Sequence, residues 1–146
     1  MDSEMIQVIA NIATAVGVLL VCLQLWLAKR RAVTAFEDTL AKEFRETVKK
    51  LPVRALLGEP LDERERQQYL NDFYRYVDLT NSQVFLRQIG RISKKTWAYW
   101  RDGIRDLLAL PAFADAWGDI KERAPNSFEE LRYLEKEGFK TDPRDW

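Results

Sequence analysis

An uncharged stretch close to the N-terminus constrains this chain more than any other feature. Residues 5–28, MIQVIANIATAVGVLLVCLQLWLA, form a run of 24 residues without Asp, Glu, Lys or Arg. A helix needs about 20 apolar residues to cross a hydrocarbon core about 30 Å thick, and at about 1.5 Å per residue this run reaches roughly 36 Å. The sequence therefore predicts a transmembrane helix over residues 5–28. The alternative is a buried core helix of a soluble protein.

The residues that flank this run indicate its orientation. The chain starts with the acidic Asp2 and Glu4, whereas a cleaved signal peptide has a basic start and a shorter apolar core. Lys29, Arg30 and Arg31 follow the run directly, and basic residues stay on the cytoplasmic side of a span. We therefore expect an uncleaved, single-pass helix and a cytoplasmic C-terminal domain. We also expect contact between these three basic residues and anionic lipid.

Beyond the run, apolar residues recur at helical spacing. The predicted fold class is all-α, with one N-terminal transmembrane helix followed by a cytosolic bundle of about five helices over residues 32–146. An apolar stripe extends from Phe36 to Leu51, and no breaker separates it from the run, so the two can form one continuous helix. The predicted inner faces of the later helices are Tyr69, Leu70, Phe73, Tyr76, Val77, Thr80 and Val84; Trp97, Trp100, Ile104, Leu107 and Leu108; Phe113, Trp117 and Ile120; and Leu131 with Leu134.

Helix ends are marked by residues that suit them. Asp62 with Glu65 and Ser127 with Glu130 have the three-residue spacing of a capping box. Residues 53–57 predict a short turn of helix. The remaining signals are Ser93 as an N-cap, Pro111 as a first helical residue, and Gly90 and Gly138 as C-terminal stops.

The predicted transmembrane helix has two unlike faces. One face is polar or small, whereas the opposite face carries large apolar side chains; the polar or small face includes Gln7, Asn11, Thr14, Gly17 and Gln24. Polar side chains in a membrane usually face another helix or a water-filled cavity, and Ala13 with Gly17 allows helices to approach closely. We expect a homo-oligomer with this face at its interface or lining a narrow pore. The alternative is a plain anchor that tolerates a few polar residues.

The strongest excess of positive charge lies between residues 85 and 105. The basic residues there are accompanied by a single acidic residue, Asp102, and they are Arg87, Arg91, Lys94, Lys95, Arg101 and Arg105. Phe85, Trp97, Tyr99 and Trp100 are interleaved with them. Basic groups bind phosphate and aromatic faces stack on bases, so this segment is the candidate site for an anion such as a nucleotide, RNA or a lipid headgroup. The alternative is a helix with core tryptophans and ordinary ion pairs.

Composition argues against an enzyme. The chain has no histidine and one cysteine, which excludes histidine triads, His–Cys zinc clusters and thiol pairs within one chain. Asp72 and Asp78 lie among aromatic residues, but no paired-carboxylate or metal-ligand spacing supports them. We predict no catalytic residue, no cofactor and no metal site.

A resemblance covers about a third of the chain. The residues that carry it are Phe73-Tyr74-Arg75-Tyr76, Asp78, Asn81, Phe85-Leu86-Arg87, Gly90-Arg91, Trp97, Trp100, Gly103-Ile104 and Pro111-Ala112-Phe113. In these the chain resembles a family of small, uncharacterised bacterial membrane proteins that join one N-terminal span to a helical cytosolic domain. The resemblance implies the bacterial inner membrane and brings no catalytic residue. In architecture the chain is also similar to single-span effectors of bacterial antiviral systems, including a CRISPR-associated accessory protein that assembles as a membrane pore.

Three functions remain open at this point. The first is an oligomeric membrane effector or channel component that is controlled through the cytosolic bundle. The second is a membrane-tethered adaptor that binds a cytosolic protein partner through exposed aromatic surface. The third is a receptor for a nucleotide or nucleic acid that uses residues 87–105, and this receptor could also be the sensor of the first.

Overall fold

The computed structural model describes residues 3–146. Within that range the chain forms six α-helices and one 3-10 helix, and no β-strand. The helices are α1 (Ser3–Val48), α2 (Val53–Leu56), α3 (Glu63–Gln88), α4 (Lys94–Leu108), α5 (Pro111–Arg123) and α6 (Glu129–Lys136), followed by the 3-10 helix Pro143–Asp145. The prediction of an all-α fold is confirmed. The uncharged run and the following stripe as far as Val48 belong to one helix, α1, and Leu51 lies beyond its end.

The chain divides into two compact units. The first ends at Phe36 and the second is Glu37–Trp146, which places the boundary five residues after the predicted start of the domain at position 32. The second unit, called the helical domain below, therefore contains the last quarter of α1 together with α2–α6.

The core of the helical domain is built on one face of α3. Phe73, Tyr76, Val77, Thr80 and Val84 are all buried, as the spacing predicts, whereas Tyr69 and Leu70 are half-buried. The rings of Phe73 and Tyr76 each meet that of Phe113 on α5 edge to face, with centroids 5.1 Å apart. Such aromatic pairs contribute about 0.5–1.5 kcal/mol beyond the area that they bury. The α3 face thus holds α5 by well-defined ring contacts.

Most of the predicted helix ends are confirmed. Asp62 accepts a hydrogen bond from the Glu65 amide while the Glu65 side chain accepts one from the Asp62 amide, which completes the capping box. Ser93 caps α4 through the Thr96 amide, and Pro111 is the first residue of α5. After α3, Gly90 adopts a φ of 77°, a left-handed conformation that glycine adopts without steric cost.

The predicted capping box at Ser127 and Glu130 is wrong. The residue before α6 is Phe128, with φ 62° and ψ 43°, and no side chain of its own segment caps the helix. Phe128 is buried, and its ring lies 5.3 Å from that of Tyr74 and 6.1 Å from that of Trp117. Burial of this ring outweighs the cost of the left-handed backbone, which shifts the helix start past Ser127.

The start of α6 is capped from another helix instead. The Asn81 side chain on α3 accepts a hydrogen bond from the Leu131 amide at 2.9 Å and donates one to the Glu130 carboxylate at 2.9 Å. Leu131 is the third residue of α6, so Asn81 satisfies one of the amides that a helix N-terminus leaves without an internal partner. The N-terminus of α6 is thus capped by a tertiary contact from α3, and not by the adjacent Ser127 as the sequence predicts.

Replacing Asn81 tests this cap. We expect Asn81→Ala to lower the free energy of unfolding of the helical domain by about 1–2 kcal/mol, because it removes the only side-chain cap that α6 has among the described residues. The measurement is denaturant unfolding of the full chain in detergent, followed by the fluorescence of buried Trp97 and Trp117. Asn71→Ala, at an exposed position on the same helix, is the matched control. Equal effects of the two substitutions would contradict the cap.

Candidate functional site

The apolar segment of α1 is exposed throughout. Large side chains such as Ile12 and Leu19 are 59% and 68% exposed, and none of the most apolar 18-residue window is buried. By length and composition, α1 is the one helix among residues 3–146 that could cross a membrane. A core helix of a soluble protein is mostly buried, so the exposure of this segment argues against that alternative.

On the polar face of this segment, one side chain bonds to the helix backbone. The Thr14 hydroxyl donates to the Ala10 carbonyl at 2.9 Å, which leaves its oxygen as an acceptor. Gln7, Asn11 and Gln24 are exposed, and their amide groups have both donors and acceptors. A side chain at Gly17 would meet no other atom within 4 Å, so the backbone is open to close approach there. The role of this face in self-association stays a prediction.

The basic residues after the segment lie on the surface. Lys29, Arg30 and Arg31 are all exposed, and the Arg30 guanidinium lies 5.4 Å from the centre of the Trp26 ring. A cation over an aromatic face gains electrostatic attraction, and both residue types suit the boundary between lipid and water. Trp26 and Arg30 therefore form a pair of the kind that anchors a helix end at this boundary.

Arg87 is buried and hydrogen-bonded within the domain, unlike the exposed or half-buried basic residues with which the sequence grouped it as an anion ligand. Its Nε and Nη2 donate to the two carboxylate oxygens of Asp142 at 2.7 and 2.6 Å, and its Nη1 donates to the Ile92 carbonyl at 2.8 Å. Hydrogen bonds from Arg87 are the main reason why the pKa of Asp142 lies below its usual value. The same hydrogen bonds to Asp142 raise the pKa of Arg87. This pair ties α3 to the C-terminal segment.

The other predicted anion ligands do not converge with Arg87. Arg101 pairs with Asp102 at 3.1 Å, and Arg105 pairs with Asp102 at 3.3 Å and with Asp106 at 2.9 Å. These pairs are largely open to solvent, where an ion pair contributes about 0–1 kcal/mol. Arg91, Lys94 and Lys95 are exposed in and just after the turn between α3 and α4, about 10–16 Å along α4 from the two arginines by helix rise. The six residues form three separate groups.

Glu37 is a structural residue that sequence reasoning missed. Its carboxylate accepts hydrogen bonds from the Ser93 amide at 2.6 Å and from the Thr96 hydroxyl at 2.7 Å. The partners are 56 and 59 positions away, and nothing in the local sequence distinguishes Glu37 from other acidic residues on a helix surface. These bonds hold the beginning of α4 against the first residue of the helical domain.

A cleft of about 650 Å³ lies between α1, α3 and α4 within the helical domain. Phe44, Trp100 and Leu107 contribute to its apolar lining, and Tyr99, which is 81% exposed, lies at its edge. Gln83 also lines it and is buried, and its Oε1 has no hydrogen-bond partner within the described chain. An apolar cleft with a few polar groups is typical of a binding site. Trp100, expected in the core, is half-buried here.

A search for metal ligands among the described residues and the comparisons with known proteins identify no further functional residue. Among residues 3–146, no group of three or more Cys, Asp or Glu side chains is placed to hold a metal ion. In comparisons with known proteins, no family model, no curated protein and no solved structure matches the chain. The resemblance to small bacterial membrane proteins therefore stays a prediction.

The Arg87–Asp142 pair leads to a prediction about stability. We expect Asp142→Asn to lower the free energy of unfolding by about 2–4 kcal/mol, because it leaves the Arg87 guanidinium buried without a counter-charge. Asp106→Asn, which removes an exposed partner of Arg105, should cost less than about 1 kcal/mol. Unfolding monitored by tryptophan fluorescence measures both. Similar losses for the two variants would contradict a structural role for the pair.

The same pair determines the sign of a pH effect. The folded-state pKa of Asp142 is lowered, so the pair stabilises the domain fully above the unfolded pKa of about 3.9 and loses this effect as the pH falls through the folded value. The stability difference between the wild type and Asp142→Asn should therefore be constant near neutral pH. It should shrink when the pH is lowered below about 4.

Proposed function

We propose that this chain is a non-enzymatic, single-pass protein of the bacterial inner membrane. The observation that carries this proposal is the exposed, uncharged helix at residues 5–28. Fourteen large apolar side chains between Met5 and Leu27 are exposed, and since burial of one such side chain is worth about 1.5–3 kcal/mol, leaving them partly in water costs on the order of 10–20 kcal/mol. A bilayer removes this cost.

The orientation follows from charge. Lys29, Arg30 and Arg31 retain the C-terminal side in the cytoplasm, and the short segment before Met5 carries only Asp2 and Glu4. The helical domain is then cytoplasmic.

Self-association within the membrane is the second part of the proposal. The polar side chains Gln7, Asn11 and Gln24 are exposed on α1, and lipid offers them no hydrogen-bond partner. A second copy of α1 supplies such partners, and Gly17 allows close contact. The protein would act as an oligomeric membrane effector or channel component controlled by its cytosolic domain.

The cleft in the helical domain favours a second candidate function, a membrane-tethered adaptor or receptor. Tyr99 and Trp100 place aromatic surface at a cleft that also contains the acceptor Gln83, and aromatic side chains are enriched where proteins bind one another. In this case α1 only anchors the chain. The two candidates differ in whether substitutions on α1 change the state of assembly.

Topology provides the first test. A reporter fused after Trp146 should be active as a cytoplasmic reporter and inactive as a periplasmic phosphatase, because the basic residues stay inside. The mass of the purified protein should include residues 5–28, and the protein should remain in membranes after alkaline washing. A periplasmic C-terminus, or loss of the N-terminal run by cleavage, would overturn the proposal.

Assembly provides the second test. Gly17→Leu should lower the oligomeric mass in detergent, because a large side chain at this position blocks close approach of two helices. Val16→Leu adds one methylene to the opposite face and is the control. A change confined to Gly17→Leu supports the oligomeric effector. If both variants and the wild type are monomers of equal mass, the adaptor is favoured.

A further inference from the structure

The turn between α3 and α4 is held at one end of the helical domain. The Glu37 carboxylate accepts hydrogen bonds from the Ser93 amide at 2.6 Å and from the Thr96 hydroxyl at 2.7 Å. Glu37 is the residue with which the domain begins, so the turn lies beside the point at which the chain arrives from the apolar segment. Further along the chain, Phe44 on α1 meets Tyr76 on α3, with ring centroids 6.2 Å apart. The two helices are therefore antiparallel, which places α2 at the other end of the domain.

The chain length between this point and the apolar segment is short. Glu37 follows Arg31 by six positions, a rise of about 9 Å in a helix. The end of the domain that contains Glu37 is therefore the end that is tethered directly to Lys29–Arg31, by six residues of chain.

Basic and apolar side chains are exposed at this turn. Lys94 and Lys95 are exposed and Ile89 is 47% exposed. The exposed Arg144 adds a further cation, because its guanidinium lies so close above Gly90 that a Cβ there would clash with Nη1. We call the set Ile89, Lys94, Lys95 and Arg144 the basic turn.

Three acidic residues lie near the basic turn in the structure or the sequence, and one of them is neutralised by an ion pair. Asp142 is neutralised by its ion pair with Arg87. Glu37 accepts its hydrogen bonds from the neutral groups of Ser93 and Thr96 and keeps its charge, and Asp145 follows Arg144 in the chain. The three cations of the basic turn, Lys94, Lys95 and Arg144, outnumber these two carboxylates. The N-terminus of α4 is not itself the site, since Ser93 and Glu37 already accept from its donors.

We propose that the basic turn docks on the anionic headgroups of the membrane in which α1 is anchored. This inference rests on the proposed membrane anchor and adds a second contact between the chain and the lipid. Each lysine near an anionic leaflet strengthens attachment about fivefold, and an exposed Ile89 suits the boundary region. The docking fixes the orientation of the helical domain relative to the bilayer.

The membrane is favoured over a nucleic acid as the partner. An anchored chain keeps the bilayer surface at high effective concentration beside the turn, whereas a polynucleotide has to be captured from solution. In addition, Arg87 is committed to Asp142, and Arg101 and Arg105 are paired with carboxylates, which removes half of the residues that a phosphate backbone would need.

Fluorescence quenching in reconstituted membranes tests this docking. The full chain carries Cys22→Ala, which replaces its one cysteine, and a fluorophore is attached after Ile89→Cys. Vesicles contain phosphatidylcholine and phosphatidylglycerol with a small fraction of lipid that has a nitroxide headgroup. We expect strong quenching at position 89. We expect little quenching after Leu57→Cys, an exposed position directly after α2 at the other end of the domain.

Charge variants show whether the contact is electrostatic. Lys94→Gln with Lys95→Gln should remove most of the quenching at position 89, and so should added salt or vesicles of phosphatidylcholine alone. Lys49→Gln with Lys50→Gln changes the net charge by the same amount at the other end of the domain and should have no effect. Circular dichroism shows that each variant remains folded, which is expected because these lysines are exposed.

Failure of the docking can be distinguished from failure of the membrane anchor. A further label after Leu20→Cys reports insertion of α1 independently, through quenching by lipids with a nitroxide on the acyl chain. Insertion with equal quenching at positions 89 and 57 overturns the docking and leaves the anchor intact. Loss of insertion overturns both. Absence of lipid quenching at position 89, with RNA binding that depends on Lys94 and Lys95, would assign the surface to nucleic acid instead.

Discussion

The rings of Phe73 and Tyr76 bring three helices of the domain together. Both meet Phe113 of α5, and Tyr76 also meets Phe44 of α1. Further along the same helix, Asn81 caps α6 and Arg87 binds Asp142 in the C-terminal segment. Successive turns of α3 thus contact α5 and α1, then α6, and then the C-terminal segment. The α3–α4 turn is placed in addition by local signals, since the Asp62 capping box begins α3 and Gly90 ends it.

Much of this architecture could be predicted from the sequence, because helix periodicity and capping are local properties. Asp62, Ser93 and Gly90 act through partners three to five positions away, and their roles are confirmed. Local sequence patterns could not show that Arg87 is buried whereas Lys94 is exposed. Both are cations in one basic segment, and only Asp142, 55 positions from Arg87, makes one a buried structural residue. Glu37 was missed for the same reason.

At Ser127 the free energy of a local helix cap competes with the free energy of burying the neighbouring Phe128 side chain. A serine cap stabilises a helix by about 1 kcal/mol, whereas full burial of an aromatic side chain contributes about 1.5–3 kcal/mol. Phe128 is buried against Tyr74 and Trp117, and Asn81 makes the local cap unnecessary. Capping motifs therefore locate a helix start well where the adjacent residue is polar, and less well where that residue belongs in the core.

The energetics of the polar face on α1 bear on how an oligomer would be controlled. Hydrogen bonds between helices in a membrane average about 0.6 kcal/mol each, so the few polar residues of this face give roughly 2 kcal/mol per pair of helices. Allosteric coupling energies of about 1–3 kcal/mol are of the same size. If α1 assembles as proposed, a change in contacts between helical domains is therefore large enough to shift the assembly. The polar face of α1 would then determine how the helices pack in the oligomer. The cytosolic domain would determine what fraction of the protein is assembled.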